Sequence, residues 1–100
     1  MPKLYEYMGL VIFFYSREHE PIHVHARHGS TEGKIEIFIE MGQVVRLKYK
    51  EVANRKPLNR ANKRKFHRLV NELADEIVQS WINYFVLHKK IFAKKIIGKL

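Results

Sequence analysis

Lys34-Ile35-Glu36-Ile37-Phe38-Ile39-Glu40 decides the fold class. Alternation puts Ile35, Ile37 and Ile39 on one side of an extended chain and Lys34, Glu36, Phe38 and Glu40 on the other, as in a half-buried strand. Met41-Gly42-Gln43 follows and is short enough to close a hairpin onto Val44 to Tyr49. There Val45, Leu47 and Tyr49 are expected to face the core, with Arg46 and Lys48 outward. On the N-terminal side, Gly29-Ser30-Thr31-Glu32-Gly33 reads as a turn bounded by two glycines. Ile22 to His28 reads as a strand before it, with Ile22, Val24 and Ala26 on one face and His23, His25 and Arg27 on the other. Met8 to Tyr15 is apolar on both faces and β-branched or aromatic in character, which suits a central strand. Residues 8–49 are thus expected to form an antiparallel four-stranded meander.

Glu51 to Leu58 is a basic linker ending at Pro57, after which the period becomes helical. Asn59 is a natural N-cap. Phe66, Leu69, Val70, Leu73, Ile77, Trp81, Tyr84 and Phe85 form one stripe, opposite Arg60, Lys63, Arg64, His67 and Asn71. The spacing predicts one long helix to about His88, or two short ones with a break near Ala74-Asp75. Trp81, Tyr84 and Phe85 could stack on nucleobases, but at helical spacing beside Ile77 and Val78 they read as core. The basic tail, residues 89–100, mixes Ile91, Phe92, Ile96 and Ile97 with lysines, and could be a fifth strand on the sheet edge or a docking arm. The expectation is an α+β fold in a single domain, with the meander over 8–49, the helical region over 59–88 and the tail behind it.

Composition narrows the function. The chain has no cysteine, which excludes disulfides and thiolate metal sites and suits a reducing cytoplasm. Met8 to Tyr15 is far shorter than the ~20 apolar residues of a membrane-crossing helix, and Met1 to Tyr7 lacks the order of a signal peptide. The net charge of +9 is concentrated in residues 41–71, which hold ten Lys or Arg against one acidic residue. Such a field attracts RNA, DNA or an acidic protein, although it also serves as a solvated face that maintains solubility. Arg46, Lys48, Arg60, Lys63, Arg64 and Arg68 are the candidate nucleic-acid contacts.

Chemistry is concentrated in Glu18-His19-Glu20-Pro21-Ile22-His23-Val24-His25. His23 and His25 leave one face of a strand ~6.5–7 Å apart. They could share a divalent metal such as zinc, with His19, Glu18 or Glu20 as a third ligand from the loop. Without metal, one neutral and one protonated imidazole could act as base and acid on an RNA 2′-hydroxyl, with Arg27 stabilising the charged phosphorane. A third reading is structural, with the imidazoles holding loop carbonyls and packing on Phe13 or Tyr15. The catalytic candidates are therefore His19, His23, His25 and Arg27, and the metal candidates His19, His23 and His25. His28 has the opposite parity and drops out, while His67 and His88 look like ordinary helix residues.

The order of these features resembles the bacterial family labelled domain of unknown function number 4160. The resemblance runs to about Phe85 and is most specific at the histidine segment, where the family hallmark resembles E-H-x-P-P-H-x-H. Ile22 stands in place of the second proline, and all three histidines are kept. Members are usually encoded beside a second domain of unknown function, number 2442, in a pair resembling a two-gene toxin–antitoxin module. The resemblance implies a small cytoplasmic protein with a cognate antitoxin-like partner, which the tail after His88 would help to dock. It assigns no catalytic residue. The leading expectation is a toxin–antitoxin-type protein directed to RNA or a ribosomal surface, with the histidines as a candidate ribonuclease centre. Its rivals are a non-enzymatic module for an acidic partner and a metal-binding domain.

Overall fold

A computed structural model describes residues 2–15 and 21–100. Six strands form one sheet in the order β5-β4-β3-β2-β1-β6. In chain order these are β1 (Lys3–Tyr7), β2 (Leu10–Phe13), β3 (His23–His28), β4 (Thr31–Glu40), β5 (Gln43–Glu51) and β6 (Lys94–Ile96). The first five make an antiparallel meander, while β6 runs parallel to β1. The helix α1 (Arg60–Trp81) lies across one face. The α+β class is as expected, but the sheet has six strands instead of four or five.

The additional strand at the N-terminal side arises because Met8-Gly9 is a tight turn and not the start of a strand. Both residues have positive φ, 47° and 84°, the backbone of a two-residue hairpin turn whose twist matches the strands it joins. The same pattern recurs at Met41 and Gly42, with φ of 51° and 78°. The turn after β3 is likewise shorter than its two glycines suggest. β4 already begins at Thr31, so Glu32 and Gly33 lie within the sheet.

One face of the sheet is apolar. Leu10, Ile12, Val24, Ala26, Ile35 and Ile37 meet Phe66, Leu69, Val70, Ile77 and Trp81 of α1, each buried aliphatic or aromatic side chain contributing about 1.5–3 kcal/mol. Leu47 and Tyr49 extend this face onto β5. Val45 does not follow its expected parity and is 53% exposed, whereas Ile39 keeps the parity of Ile37 but, near the end of β4, is 37% exposed. The register slips between Phe38 and Ile39, pairing Phe38 with Arg46 and Ile39 with Val44. Val45 is the extra residue of a β-bulge, and alternation beyond it is reset.

The Asn59 side chain caps α1, accepting a 2.8 Å hydrogen bond from the Asn62 backbone N–H, worth about 1 kcal/mol. The helical region extends to Trp81 but kinks at Leu73, whose φ of −113° and ψ of 19° are not helical. The two sequence expectations, one long helix and a break near Ala74, thus each describe part of the result. A π-helical turn, Ile82–Val86, follows. It brings Phe85 onto Trp81 (centroids 4.9 Å apart) and onto Phe14 at the end of β2 (5.7 Å), so this aromatic group is core packing.

The tail is an edge strand held by a polar clamp. Glu76 of α1 accepts hydrogen bonds from the Tyr5 hydroxyl (2.8 Å) and from Lys94 Nζ (3.0 Å). The Tyr5 hydrogen bond, followed by that from Lys94, holds the Glu76 carboxyl below the usual carboxylate range. Burial and Glu76 push the Tyr5 hydroxyl well above its ordinary value, so it remains a donor. A depressed carboxyl stabilises the fold above its unfolded value and loses that contribution as pH falls through the folded value. Because Glu76 is half exposed, solvent limits the effect to roughly a few tenths of a kcal/mol. Amide exchange in β6 should therefore accelerate relative to β2 below about pH 4.5, and Glu76→Gln should remove that difference. Equal acid sensitivity in the variant would show that the clamp does not set it.

Candidate functional site

The sheet face turned away from α1 carries the polar residues. Cross-strand neighbours share a face, so register assembles rows across it. Phe13, His25, Lys34 and Lys50 form one row, and Arg27 opposite Glu32 belongs to another. His23 pairs with Glu36, and Glu36 with Lys48. The expected parity of His23, His25 and Arg27 is therefore the observed one.

The centre of this face is Glu32, a fully buried carboxylate. Its Oε1 accepts from Arg27 Nε at 3.1 Å and lies 3.0 Å from Arg27 Nη2, with Arg55 Nε at 3.7 Å. Its Oε2 accepts from the Tyr15 hydroxyl at 2.9 Å and lies 3.2 Å from His25 Nδ1. Arg27 Nη2 also donates to the Tyr15 oxygen at 3.3 Å. The Glu32 backbone is held too, its N–H donating to the Lys56 carbonyl at 2.9 Å. One carboxylate thus ties together the end of β2, β3, and the segment leading into α1. Burial and Glu32 raise the Tyr15 hydroxyl against the opposing effect of Arg27, keeping it protonated as a donor. For Arg27, burial opposes the charge, but the bonds to Glu32 more than compensate and raise its already high value.

His25 is enclosed by aromatic rings. Phe13 stacks on it at 5.4 Å with 21° between planes, and Tyr15 meets it edge-on at 4.3 Å. The Arg27 guanidinium sits 5.1 Å from the Phe13 centroid, adding a cation–π contact. His23 lies beside His25 with ring centroids 5.2 Å apart. Its Nδ1 is 2.6 Å from the Pro21 carbonyl, and a carbonyl can only accept, so Nδ1 carries the proton. In the neutral ring Nε2 is then the basic nitrogen. Exposures of 8% for His23 and 1% for His25 place both inside the protein surface.

The structure therefore brings His23, His25 and Arg27 together. His19, Glu18 and Glu20 lie outside the described residues. Among the described residues, no three His, Cys, Asp or Glu side chains are grouped to hold a metal ion. Sequence reading missed Glu32 and Arg55, and named Tyr15 only as a ring for the imidazoles to pack on, not as a partner of a carboxylate. For Glu32 the available signal was weak: an acidic residue near a short turn with an Arg before it, which becomes a cross-strand pair only once the register is known. His28 is exposed, its ring close to Gly9.

The six candidate nucleic-acid contacts divide between two layers. Arg46 and Lys48 are on β5, on the face away from α1, with the Arg46 guanidinium 4.9 Å from the Phe38 centroid. Arg60, Lys63, Arg64 and Arg68 follow one another along the first turns of α1. There Lys63, Arg64, His67 and Arg68 join Tyr49, Asn71 and Glu72 around a groove of about 560 Å³. Lys63 lies over the Tyr49 ring at 5.1 Å. A second groove adjoins it, sharing Arg64 and Arg68 and adding Lys65 and Lys99.

No helix among the described residues is long and apolar enough to cross a membrane. No curated protein and no solved structure matches the chain. A family model does match, over residues 9–82, and that span holds both the Glu32 cluster and α1. The chain belongs to the family described as Domain of unknown function (DUF4160).

Proposed function

We propose that the protein is the RNA-directed half of a toxin–antitoxin-type pair acting in the cytoplasm, and that it holds RNA along the first turns of α1. The observation that supports this most is the pair of adjoining grooves sharing Arg64 and Arg68, with Lys63, Lys65 and Lys99 around them and Glu72 as the one acidic side chain among the described residues that line them. Arg60, Arg64 and Arg68 are spaced i, i+4, about 6 Å apart along the axis, a row suited to a phosphate backbone. The helix N-terminus adds partial positive charge at the same end. The histidine cluster packs inward against Phe13, Tyr15 and Glu32 and supports β2 and β3. A cognate antitoxin-like protein is the second component in this reading.

Anisotropy of a labelled single-stranded RNA, measured from 50 to 200 mM salt, tests the proposal. Affinity should fall steeply with salt as counterions are released, and the Arg64→Glu/Arg68→Glu variant should lower the log–log slope by about 1.4, the value for two lost phosphate contacts. A flat salt response, or unchanged binding by the variant, removes the reading.

A second reading, cleavage of RNA, is favoured by the carboxylate–imidazole pair of Glu32 and His25 beside the tautomer-fixed His23. His23 would take the 2′-hydroxyl proton and His25 would return one to the leaving oxygen. Its burial means RNA must displace part of the cover to reach it. The reading fails if the purified protein leaves RNA intact with and without divalent metal, and if His23→Ala does not relieve growth inhibition on expression.

A further inference from the structure

β5 is one edge of the sheet, and among the described residues nothing pairs along its outer side. Such an edge offers a row of unpaired backbone groups. The bulge at Val45 interrupts it, but Arg46 to Glu51 is regular, paired residue for residue with Phe38 back to Gly33. Along those six residues the two faces differ in chemistry. Arg46, Lys48 and Lys50 project from the face away from α1, about 6.5–7 Å apart. Leu47 and Tyr49 project from the other, half-buried at the margin of α1, where grooves run along the junction of β5 and the helix.

From this we infer that the Arg46–Glu51 edge receives an extended segment of a partner protein in which acidic and apolar residues alternate, added as a seventh strand. Backbone hydrogen bonds to the edge provide the attachment, as in other cases of strand addition. Acidic side chains opposite Arg46, Lys48 and Lys50 form cross-strand charge pairs, and the alternate apolar side chains cover Leu47 and Tyr49. The same three cations argue against a second copy of this chain as the occupant, since two β5 edges would set like charges against one another. The inference is independent of RNA binding, which depends on Arg64 and Arg68 of α1.

The test uses the full chain and three blocked octapeptides: alternating glutamate and valine, the same residues in two blocks, and alternating lysine and valine. Only the first should bind, and it should slow amide exchange within Arg46–Glu51 while leaving β2 and β3 unchanged. Arg46→Gln/Lys48→Gln, which avoids charge reversal beside Glu36, should weaken binding about fivefold, as expected for two lost cross-strand charge pairs. Equal binding of the two acidic peptides overturns the inference, as does protection confined to α1. So does a single-stranded RNA that protects β5 to the same extent.

Discussion

Replacing Glu32 with alanine is expected to cost about 3–5 kcal/mol of stability, a large part of what a chain of this size has to lose. Two guanidiniums, a tyrosine hydroxyl and an imidazole converge on this one buried carboxylate. Removing it leaves Arg27 without its buried partner and Tyr15 without an acceptor. It also opens a cavity beneath His25. The predicted result is a fall in melting temperature of at least about 12 °C, taking about 4 °C per kcal/mol as the lower figure. Glu32→Gln keeps the volume and one acceptor oxygen, and should lie between the variant and the parent. In a double-mutant cycle, Glu32→Ala with Arg27→Ala should cost clearly less than the two single changes together, because the second change removes a charge already stranded by the first. A loss below about 1 kcal/mol for Glu32→Ala, the scale of an exposed ion pair, would show that the cluster is solvated and does not hold the hairpin.

The second large effect is expected at Gly33. Its backbone is ordinary for a strand, so the requirement for glycine is one of space. A Cβ at this position would come within 2.7 Å of Tyr49 Cε2 and 2.8 Å of Cζ. Tyr49 is confined in turn, with Lys63 over its ring and the core behind it. Gly33→Ala should therefore cost about 1–3 kcal/mol, the usual penalty of overpacking. Placed on a Tyr49→Ala background, the same change should be close to neutral. Chemical denaturation of the four proteins in the cycle reads this directly, through midpoints at constant slope. An equal cost of Gly33→Ala in both backgrounds would trace it to the backbone and not to the tyrosine.

These two residues also mark the limit of what the sequence discloses. Period-two alternation was enough to place His23, His25 and Arg27 on one face and Val24 and Ala26 on the other, because parity is a local property. Asn59 as a cap and Trp81 as core were legible for the same reason. Glu32 and Gly33 were read as turn because two glycines framed them. Only the pairing of Arg27 with Glu32 shows that the strand has already begun, and register is not a local quantity. Val45 was misplaced by a single inserted residue, which alternation alone cannot reveal. Met8 concealed a turn because methionine is an unusual residue at positive φ, and Gly9 beside it was the only sign. The six cations were legible as a set, but their separation into a strand group and a helix group depends on how the helix returns across the sheet.

The parallel pairing of β6 with β1 has a consequence for the order of folding. β1 to β5 are joined by hairpins, so their contacts close short loops and can form early. Tyr5 meets Lys94, and Tyr7 meets Ile96, only after nearly the whole chain has been organised, and loop closure over that distance is entropically the most demanding step. β6 and its Glu76 clamp should therefore be absent from the transition state. Their interactions would then act on the lifetime of the native state and leave the rate of reaching it almost unchanged.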